Sequence, residues 1–87
     1  DVAEIGRDVE LGPGVTLRGP TTRVGARTRI EQGCVITDSA VGEGVHLKPY
    51  SVLTESCVGA GAIIGPFAHC RPGTVLEEGV HLGPLPP

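Results

Sequence analysis

The sequence predicts an all-β protein, a single-stranded parallel β-helix with about 4–5 triangular coils. The first observation is a six-residue period that runs unbroken from Val58 to Leu82 as VGAGAI, IGPFAH, CRPGTV and LEEGVH. The second is that the irregular spacings all fall on one side of the predicted prism. The third is that many of the 14 Gly and 8 Pro residues occupy fixed places in the hexad. Because six residues are too many for one helix or strand repeat, each unit is a short strand followed by a turn.

Every hexad begins with an apolar residue. The first positions are six residues apart except for a spacing of seven after Leu17 and spacings of five after Ile36 and Leu53. If three hexads make one coil, all three irregular spacings fall on the third side of the prism. Irregularities placed at random along the chain would be scattered over all three sides. The predicted columns are Ile5, Val24, Val41, Val58 and Leu76 on the first side, Leu11, Ile30, Leu47, Ile64 and Leu82 on the second, and Leu17, Ile36, Leu53 and Cys70 on the third.

The interior of the prism is expected to hold the first and fifth positions of each hexad. Stacked coils place equivalent residues about 4.8 Å apart, so each column should pair as parallel, in-register strands. No fifth position carries a charge. Cys34 and Cys57 fall at or near inward fifth positions and Cys70 at an inward first position, so all three are expected to be buried thiols. The fifth positions are Val9, Val15, Thr28, Cys34, Val45, Ser51, Ala62, Ala68, Thr74 and Val80.

The corners of the coil are marked by Pro in third place and Gly in fourth place. This order suits a type II turn, in which Pro fixes φ and Gly accepts a positive φ. Tyr50 and Phe67 take the fourth place on the second side, one coil apart, with Leu85 following, and should form an outward apolar ridge. Two interpretations stay open: the aromatic rings stack on each other at an exposed corner, or the ridge is a contact between subunits.

Length and charge limit the classes of partner. The 87 residues form one domain, 1–87, with regular hexads over 5–83 and a Pro-rich end over 84–87 that is either a cap on the last coil or a truncation scar. A net charge of −3 with one Lys gives no positive potential that would attract nucleic acid or an anionic membrane surface. A patch of arginines beside the seven-residue corner lacks aromatic residues for base stacking and is interpreted as solvated charge. Its members are Arg18, Arg23, Arg27 and Arg29.

Location and metal binding are also constrained. No apolar run approaches the roughly 20 residues that span a bilayer, and no leader peptide is recognisable, so a cytoplasmic location is expected. The three cysteines form no C-x-x-C pair, so neither a zinc site nor a disulfide framework is expected.

The histidines offer little chemistry in this pattern. His46 and His81 close GVHL units in the outward sixth place and are expected to be exposed surface imidazoles. His69 precedes Cys70, and adjacent side chains on a strand point to opposite faces, which argues against a Cys–His dyad.

Three segments carry a family resemblance: VELGPGVTL, GCVITDSAVGEGVHLKPYSVL and IGPFAHCRPGTVLEEGVHLG. They resemble the opening coils of the acetyltransferase domain of the bacterial bifunctional N-acetylglucosamine-1-phosphate uridylyltransferase/glucosamine-1-phosphate acetyltransferase. The resemblance spans Ile5 to Gly83, including both shortened corners. The left-handed coil is implied by this resemblance alone, because parallel crossovers are otherwise overwhelmingly right-handed. The same resemblance implies a cytoplasmic homotrimer that makes UDP-N-acetylglucosamine for cell-wall polymers.

The resemblance also implies how the chemistry is divided. In the family, one domain transfers uridylyl groups with Mg²⁺, and the β-helix acetylates glucosamine 1-phosphate with acetyl-CoA. The 87 residues contain no Gly-rich nucleotide loop, and the family's catalytic His belongs to later coils. We therefore expect no catalytic residue, cofactor or metal ligand in this segment, and no activity from it alone. Arg71 matches the family arginine that contacts the sugar phosphate, for which a planar guanidinium is suited. The alternative is a solvated charge, like Arg18 on the same column.

Three hypotheses remain at this point. The chain is the N-terminal part of the acetyltransferase β-helix and is catalytically incomplete. Alternatively, it is a stand-alone structural or assembly β-solenoid without catalysis. The third hypothesis is a small active acyltransferase, which would need a catalytic His at a subunit contact.

Overall fold

The computed structural model describes residues 4–83. The described residues form a solenoid of fourteen very short strands. The strands are β1 Glu4–Ile5, β2 Glu10–Leu11, β3 Thr16–Arg18, β4 Arg23–Val24, β5 Arg29–Ile30, β6 Val35–Thr37, β7 Ala40–Val41, β8 His46–Leu47, β9 Val52–Thr54, β10 Cys57–Val58, β11 Ile63–Ile64, β12 His69–Cys70, β13 Val75–Leu76 and β14 His81–Leu82. The Pro-rich end predicted over 84–87, and Leu85 within it, lie outside the described residues.

Every third strand pairs with the next, which gives three parallel sheets of five, five and four strands. The sheet orders are β1-β4-β7-β10-β13, β2-β5-β8-β11-β14 and β3-β6-β9-β12. The register matches the predicted columns position for position: Ile5 pairs with Val24, Leu11 with Ile30 and Leu17 with Ile36. The all-β, parallel, three-sided prediction is therefore confirmed, and the left hand of the coil stays a prediction.

The core is a stack of apolar layers along the inside of the prism. The first positions of the middle coils are almost fully buried, and the same columns open toward solvent at the ends, where Ile5 and Leu11 are each 47% exposed. Equivalent side chains lie directly above one another in a parallel in-register pair, so each layer is covered by the next. The buried apolar residues are Val24, Ile30, Cys34, Ile36, Val41, Val45, Leu47, Leu53, Val58, Ala62, Ile64 and Cys70.

A column of buried hydroxyl side chains lines the interior where the third side turns into the first. Thr22, Ser39 and Ser56 are at most 2% exposed. Each lies two residues before a first-side apolar residue, on the same inward face. Their hydroxyls donate to local carbonyls: Thr22 Oγ1 to Arg18 O at 2.6 Å and Ser39 Oγ to Thr37 O at 2.9 Å. A small hydrogen-bonded side chain fits this sharp corner at little desolvation cost.

The expected burial of Cys57 is wrong. Cys57 immediately precedes Val58 on a two-residue strand, so its side chain points to the opposite face and is exposed. The five-residue corner after Leu53 removes one position, which moves Ser56 rather than Cys57 into the inward place. Cys34 and Cys70 are buried, as predicted.

The corners adopt the left-handed backbone conformation that the fourth position was expected to need. Tyr50 and Phe67 each have φ of 62°, and Asp38 and Glu55 have φ of 47° and 44° at the shortened corners. Non-glycine residues in this region carry a backbone cost, so neighbouring coils must hold them in place. The predicted fourth-place glycines with positive φ are Gly14, Gly33, Gly44, Gly61, Gly73 and Gly79.

Two glycines that are two residues apart allow a test of coil stacking. A Cβ added at Gly42 would lie 2.7 Å from the backbone N of Ala60 in the next coil, whereas one added at Gly44 would meet nothing within 4 Å. We expect Gly42→Ala to lower the free energy of unfolding by about 2–3 kcal/mol, because the coils must separate. Gly44→Ala should cost about 1 kcal/mol, because an alanine is strained at the φ of 65° that Gly44 adopts.

Denaturant unfolding followed by circular dichroism measures this difference. Equal losses for the two variants would contradict the in-register contact between Gly42 and the coil above it.

Candidate functional site

Arg71 is the residue that sequence resemblance assigns to a phosphate, and the structure places it directly after β12 on the third side. Its side chain is exposed. Its carbonyl oxygen accepts hydrogen bonds from Thr74 N at 3.1 Å, Thr74 Oγ1 at 2.7 Å and Ser56 Oγ at 3.1 Å. Three donors therefore fix the backbone of Arg71 while the guanidinium remains in solvent.

Ser56 and Thr74 are contributors to this arrangement that sequence reasoning missed. The signal that could have found Ser56 is the five-residue corner, which shifts the inward place by one. The single hydroxyl proton of Ser56 is shared between Thr54 O at 2.8 Å and Arg71 O at 3.1 Å, so one hydroxyl bridges the corner below and the carbonyl of Arg71 above. The site backbone is consequently built from two coils.

The outward face below Arg71 is a column of polar side chains. Arg18, Thr37 and Thr54 occupy equivalent places on β3, β6 and β9. Arg18 Nε donates to Thr37 Oγ1 at 3.3 Å, which partly satisfies its charge locally. Among residues 4–83, no carboxylate forms an ion pair with Arg71. The guanidinium of Arg71 is thus available to an anion from solution.

His69 and Cys70 point to opposite faces of β12, as expected. His69 is exposed, and Cys70 is 2% exposed inside the prism. Burial raises the pKa of the Cys70 thiol. Burial likewise raises the pKa of Cys34, whose Sγ lies 3.2 Å from Lys48 O. A protonated, enclosed thiol is a poor nucleophile, so neither cysteine serves as one.

His46 differs from its prediction. It was expected to be an exposed imidazole, but its side chain is 31% exposed, with Nε2 2.5 Å from Glu31 Oε2. The carboxylate comes from the preceding coil, where Glu31 follows Ile30 at the end of β5. His81 is exposed, as predicted. His46 is therefore part of a side-chain pair between coils.

Two of the four arginines in the patch lie beside acidic side chains. Arg27 Nη2 lies 2.8 Å from Glu43 Oε1, and Arg29 Nε lies 3.7 Å from Glu10 Oε1. All four of these side chains are more than half exposed, so such pairs are worth little in stability. The interpretation as solvated corner charge holds.

The aromatic corner shows the stacked geometry. The rings of Tyr50 and Phe67 have centroids 5.7 Å apart and planes 10° apart. Tyr50 is 50% exposed and Phe67 is 73% exposed. A Cβ at Gly33, one coil below, would overlap the Tyr50 ring, so the ring packs in space that only a glycine leaves open. The stacking interpretation is confirmed, and the subunit contact stays a prediction.

The described residues offer the exposed guanidinium of Arg71 as a group for binding. Residues 4–83 contain no group of three or more His, Cys, Asp or Glu side chains close enough to hold a metal ion. Nor do these residues include a helix that could cross a membrane. Among these residues, Arg71 presents a guanidinium without a carboxylate partner on a corner whose carbonyl is hydrogen-bonded, and this cation can bind an anion.

Comparison with known proteins gives the context for this geometry. Residues 1–84 match a family described as the GMPPB C-terminal domain. The chain is 50% identical over 80 residues to the bifunctional protein GlmU of Anaeromyxobacter dehalogenans strain 2CP-1, covering 92% of this chain and 16% of that protein. GlmU of Anaeromyxobacter sp. strain Fw109-5 is 45% identical over the same length. The chain thus spans about one sixth of these relatives, which is 16% of their length.

Two solved structures share the fold. A hexapeptide transferase family protein from Anaplasma phagocytophilum superposes with a TM-score of 0.70 at 17% identity, over 92% of this chain and 61% of that chain. The acetyltransferase domain of PglB from Neisseria gonorrhoeae FA1090 gives a TM-score of 0.52 at 22% identity, over 95% of this chain and 46% of that chain. At these identities the likeness supports the solenoid architecture.

The three cysteines should differ in reactivity. In the folded protein we expect Cys57 alone to react rapidly with a disulfide reagent at pH 8, because Cys34 and Cys70 are buried and burial raises the pKa of each. Release of the coloured thiol measures the number of fast sites. Cys57→Ala should abolish the fast phase, and three equal rates would contradict the assigned burial.

The raised pKa values also set a pH dependence. The unfolded chain loses thiol protons at the ordinary pKa of about 8.5, and the folded chain loses them only at higher pH. The contribution of Cys34 and Cys70 to stability is therefore complete below that pH and falls as the pH rises above it. Cys34→Ala should flatten the alkaline loss in unfolding experiments.

Proposed function

The chain belongs to the family described as the GMPPB C-terminal domain, and from that premise we propose that it forms the opening coils of an acetyltransferase β-helix in a GlmU-like bifunctional enzyme. The observation that supports this most is the 50% identity over 80 residues to a bifunctional protein GlmU. That identity runs along a regular solenoid whose three columns are continuous from Ile5 to Leu82. The enzyme would transfer an acetyl group from acetyl-CoA to glucosamine 1-phosphate in the synthesis of UDP-N-acetylglucosamine.

Within that enzyme, the proposed role of the segment is positioning. Arg71 would bind the sugar phosphate through its guanidinium, with its backbone held by Ser56 and Thr74. A planar guanidinium presents several donors to phosphate oxygens. The catalytic base would come from residues outside these coils, so the segment alone would be inactive. We propose that the enzyme is cytoplasmic and that it assembles as a homotrimer.

We propose that the Mg²⁺ of the bifunctional family is bound by another part of the enzyme. Mg²⁺ prefers several oxygen ligands in octahedral geometry, and residues 4–83 bring no such acidic group together. Uridylyl transfer would accordingly belong to another part of such an enzyme, and acetyl-CoA would act as the second substrate of the β-helix.

The second candidate is a structural β-solenoid without catalysis. It is favoured by the isolation of Arg71, whose neighbours on the outward column are Thr54 and Thr37 rather than further cations or a base. On this alternative the corner charge is solvated, as Arg18 is on the same column.

A chimera separates the two candidates. Residues 5–83 of this chain would replace the matching coils of the Anaeromyxobacter dehalogenans GlmU. We expect acetyl transfer to glucosamine 1-phosphate to persist and Arg71→Ala to raise the KM for that sugar phosphate about 10- to 100-fold, because a charge-assisted contact of about 1.5–3 kcal/mol is lost. Release of free CoA thiol measures the rate.

Matched variants complete the experiment. Arg18→Ala, on the same column three coils earlier, should leave the KM unchanged, and Arg71→Lys should recover only part of the loss. The isolated 87-residue chain should show no turnover above background. A folded chimera whose KM is insensitive to Arg71→Ala would favour the structural solenoid, and turnover by the isolated chain would overturn the proposed inactivity.

The proposed trimer has its own test at the aromatic corner. Replacing both Tyr50 and Phe67 by Ser should shift the mass in solution toward the monomer, because the exposed apolar stack would supply the contact between subunits. Light scattering after size-exclusion chromatography measures the mass. An unchanged mass would assign the two rings to stacking alone.

A further inference from the structure

The outer face of β12 carries two nitrogen-bearing side chains close together. The strand consists of His69 and Cys70, and Arg71 follows it directly. Cys70 is 2% exposed inside the prism, whereas His69 and Arg71 are both exposed. Because side chains alternate along an extended chain, residues 69 and 71 lie on the same outer face, about 6.6 Å apart along the strand. The direction of both side chains is set by the buried Cys70 between them.

This pair of donors distinguishes β12 from the other strands of the third side. The equivalent outward pairs are Thr16 and Arg18 on β3, Val35 and Thr37 on β6, and Val52 and Thr54 on β9. His69 is the cross-strand partner of Val52, so the same two outward places continue onto β12. Within residues 4–83, β12 is therefore the third-side strand with nitrogen donors in both outward places.

The backbone on both sides of the pair is held by hydrogen bonds. Before His69, the carbonyl oxygen of Ala68 accepts from Val52 N at 2.8 Å. After Cys70, the carbonyl oxygen of Arg71 accepts from Ser56 Oγ and Thr74 N, each at 3.1 Å. Two donors on a backbone that is already ordered lose less conformational entropy when they bind a ligand. The strand thus fixes the separation between imidazole and guanidinium in advance.

The surroundings of the pair favour an anion. Among residues 4–83, no carboxylate forms an ion pair with His69 or Arg71, including Glu55 on the corner one coil below. The side chains beneath them, Val52 and Thr54, are uncharged. An imidazole donates an N–H in its neutral and its charged form, and a guanidinium has five N–H donors and no acceptor. The two groups can therefore donate to different oxygens of one phosphate.

We propose that His69 is a second phosphate-binding residue, which donates an N–H to the phosphate of the substrate while the guanidinium of Arg71 binds other oxygens of the same group. This inference rests on the proposed function, because it concerns the same sugar phosphate. The ligand class is a phosphate monoester, whose chemistry inorganic phosphate shares. Two donors from one strand fix the orientation of the phosphate, which a single flexible arginine side chain does not.

The first experiment measures binding without catalysis. The imidazole signals of the 87-residue chain are followed by NMR at constant pH while inorganic phosphate, or in a separate series glucosamine 1-phosphate, is added. We expect the His69 signal to shift to saturation with both ligands, and the signals of His46 and His81 to stay in place. Chloride at the same ionic strength is the control for screening. Arg71→Ala should weaken the saturation by about tenfold or more, because a charge-assisted contact is lost.

The second experiment uses the chimera with the Anaeromyxobacter dehalogenans GlmU. His69→Ala should raise the KM for glucosamine 1-phosphate about tenfold and leave kcat within about twofold. His69→Asn, which retains an N–H donor, should recover part of the loss, and His81→Ala is the matched control that should change neither constant. In the Arg71→Ala background, His69→Ala should have a different effect from the one it has alone, because residues that bind one group are coupled.

The outcomes separate this inference from the proposed function. If Arg71→Ala raises the KM and His69→Ala does not, the role of His69 is wrong and the proposed function stands. If neither substitution changes the KM while the His69 signal still shifts with phosphate, the anion site stands and the proposed role of Arg71 in the reaction is wrong. A His69 signal that moves with neither phosphate ligand, or that moves equally with chloride, overturns the inference.

Discussion

The parallel, in-register hydrogen bonding between successive coils is the constraint on which the rest of this structure depends. No strand is longer than three residues, so no strand can be stable by itself, and each is held by the coils above and below it. The same register stacks Ile30, Leu47 and Ile64 into one buried column. A shift by one residue would turn such a column outward. Backbone pairing and core packing therefore enforce each other.

The corners of the coil carry a backbone strain that in-register stacking has to offset. A coil of six-residue units must turn sharply three times, and each turn uses a residue with positive φ. Where Gly is absent, the coil holds residues such as Asp38 and Glu55 in that conformation. The shortened corners bring serine hydroxyls inside, where they bond nearby carbonyls. These hydroxyls bind the third side to the first, and through Ser56 they also fix the backbone of Arg71.

A scaffold of this kind is suited to presenting isolated side chains. Arg71 lies on a corner whose carbonyl accepts three hydrogen bonds, so its guanidinium extends from a fixed point. A pre-positioned cation of this kind recognises an anion without first ordering its own backbone. Next to it on β12, Cys70 points into the core and His69 lies on the outer face. The proposed phosphate contact rests on this exposed guanidinium above a hydrogen-bonded backbone.

The sequence by itself determined the period, the three columns and the register. An apolar residue at every first position can be buried in only one way once three hexads close a coil. The seven- and five-residue spacings all fall on the third side, and this indicated that three hexads make one coil. The sequence also assigned Tyr50 and Phe67 to one corner and Cys70 to the interior. Arg71 as a phosphate ligand came from family resemblance, since the residues alone allow a solvated charge equally well.

Only the tertiary structure decided which face the residues of the shortened corners take. Ser56 is inside and Cys57 outside because a five-residue corner removes one position, and the removed position is visible only once the coil is closed. The pair between His46 and Glu31 was also beyond the sequence, since its partners are fifteen residues apart. Their distance is set by the stacking of two coils. The bonds to the carbonyl of Arg71 arise in the same way, from groups that meet only after the chain has made a full turn.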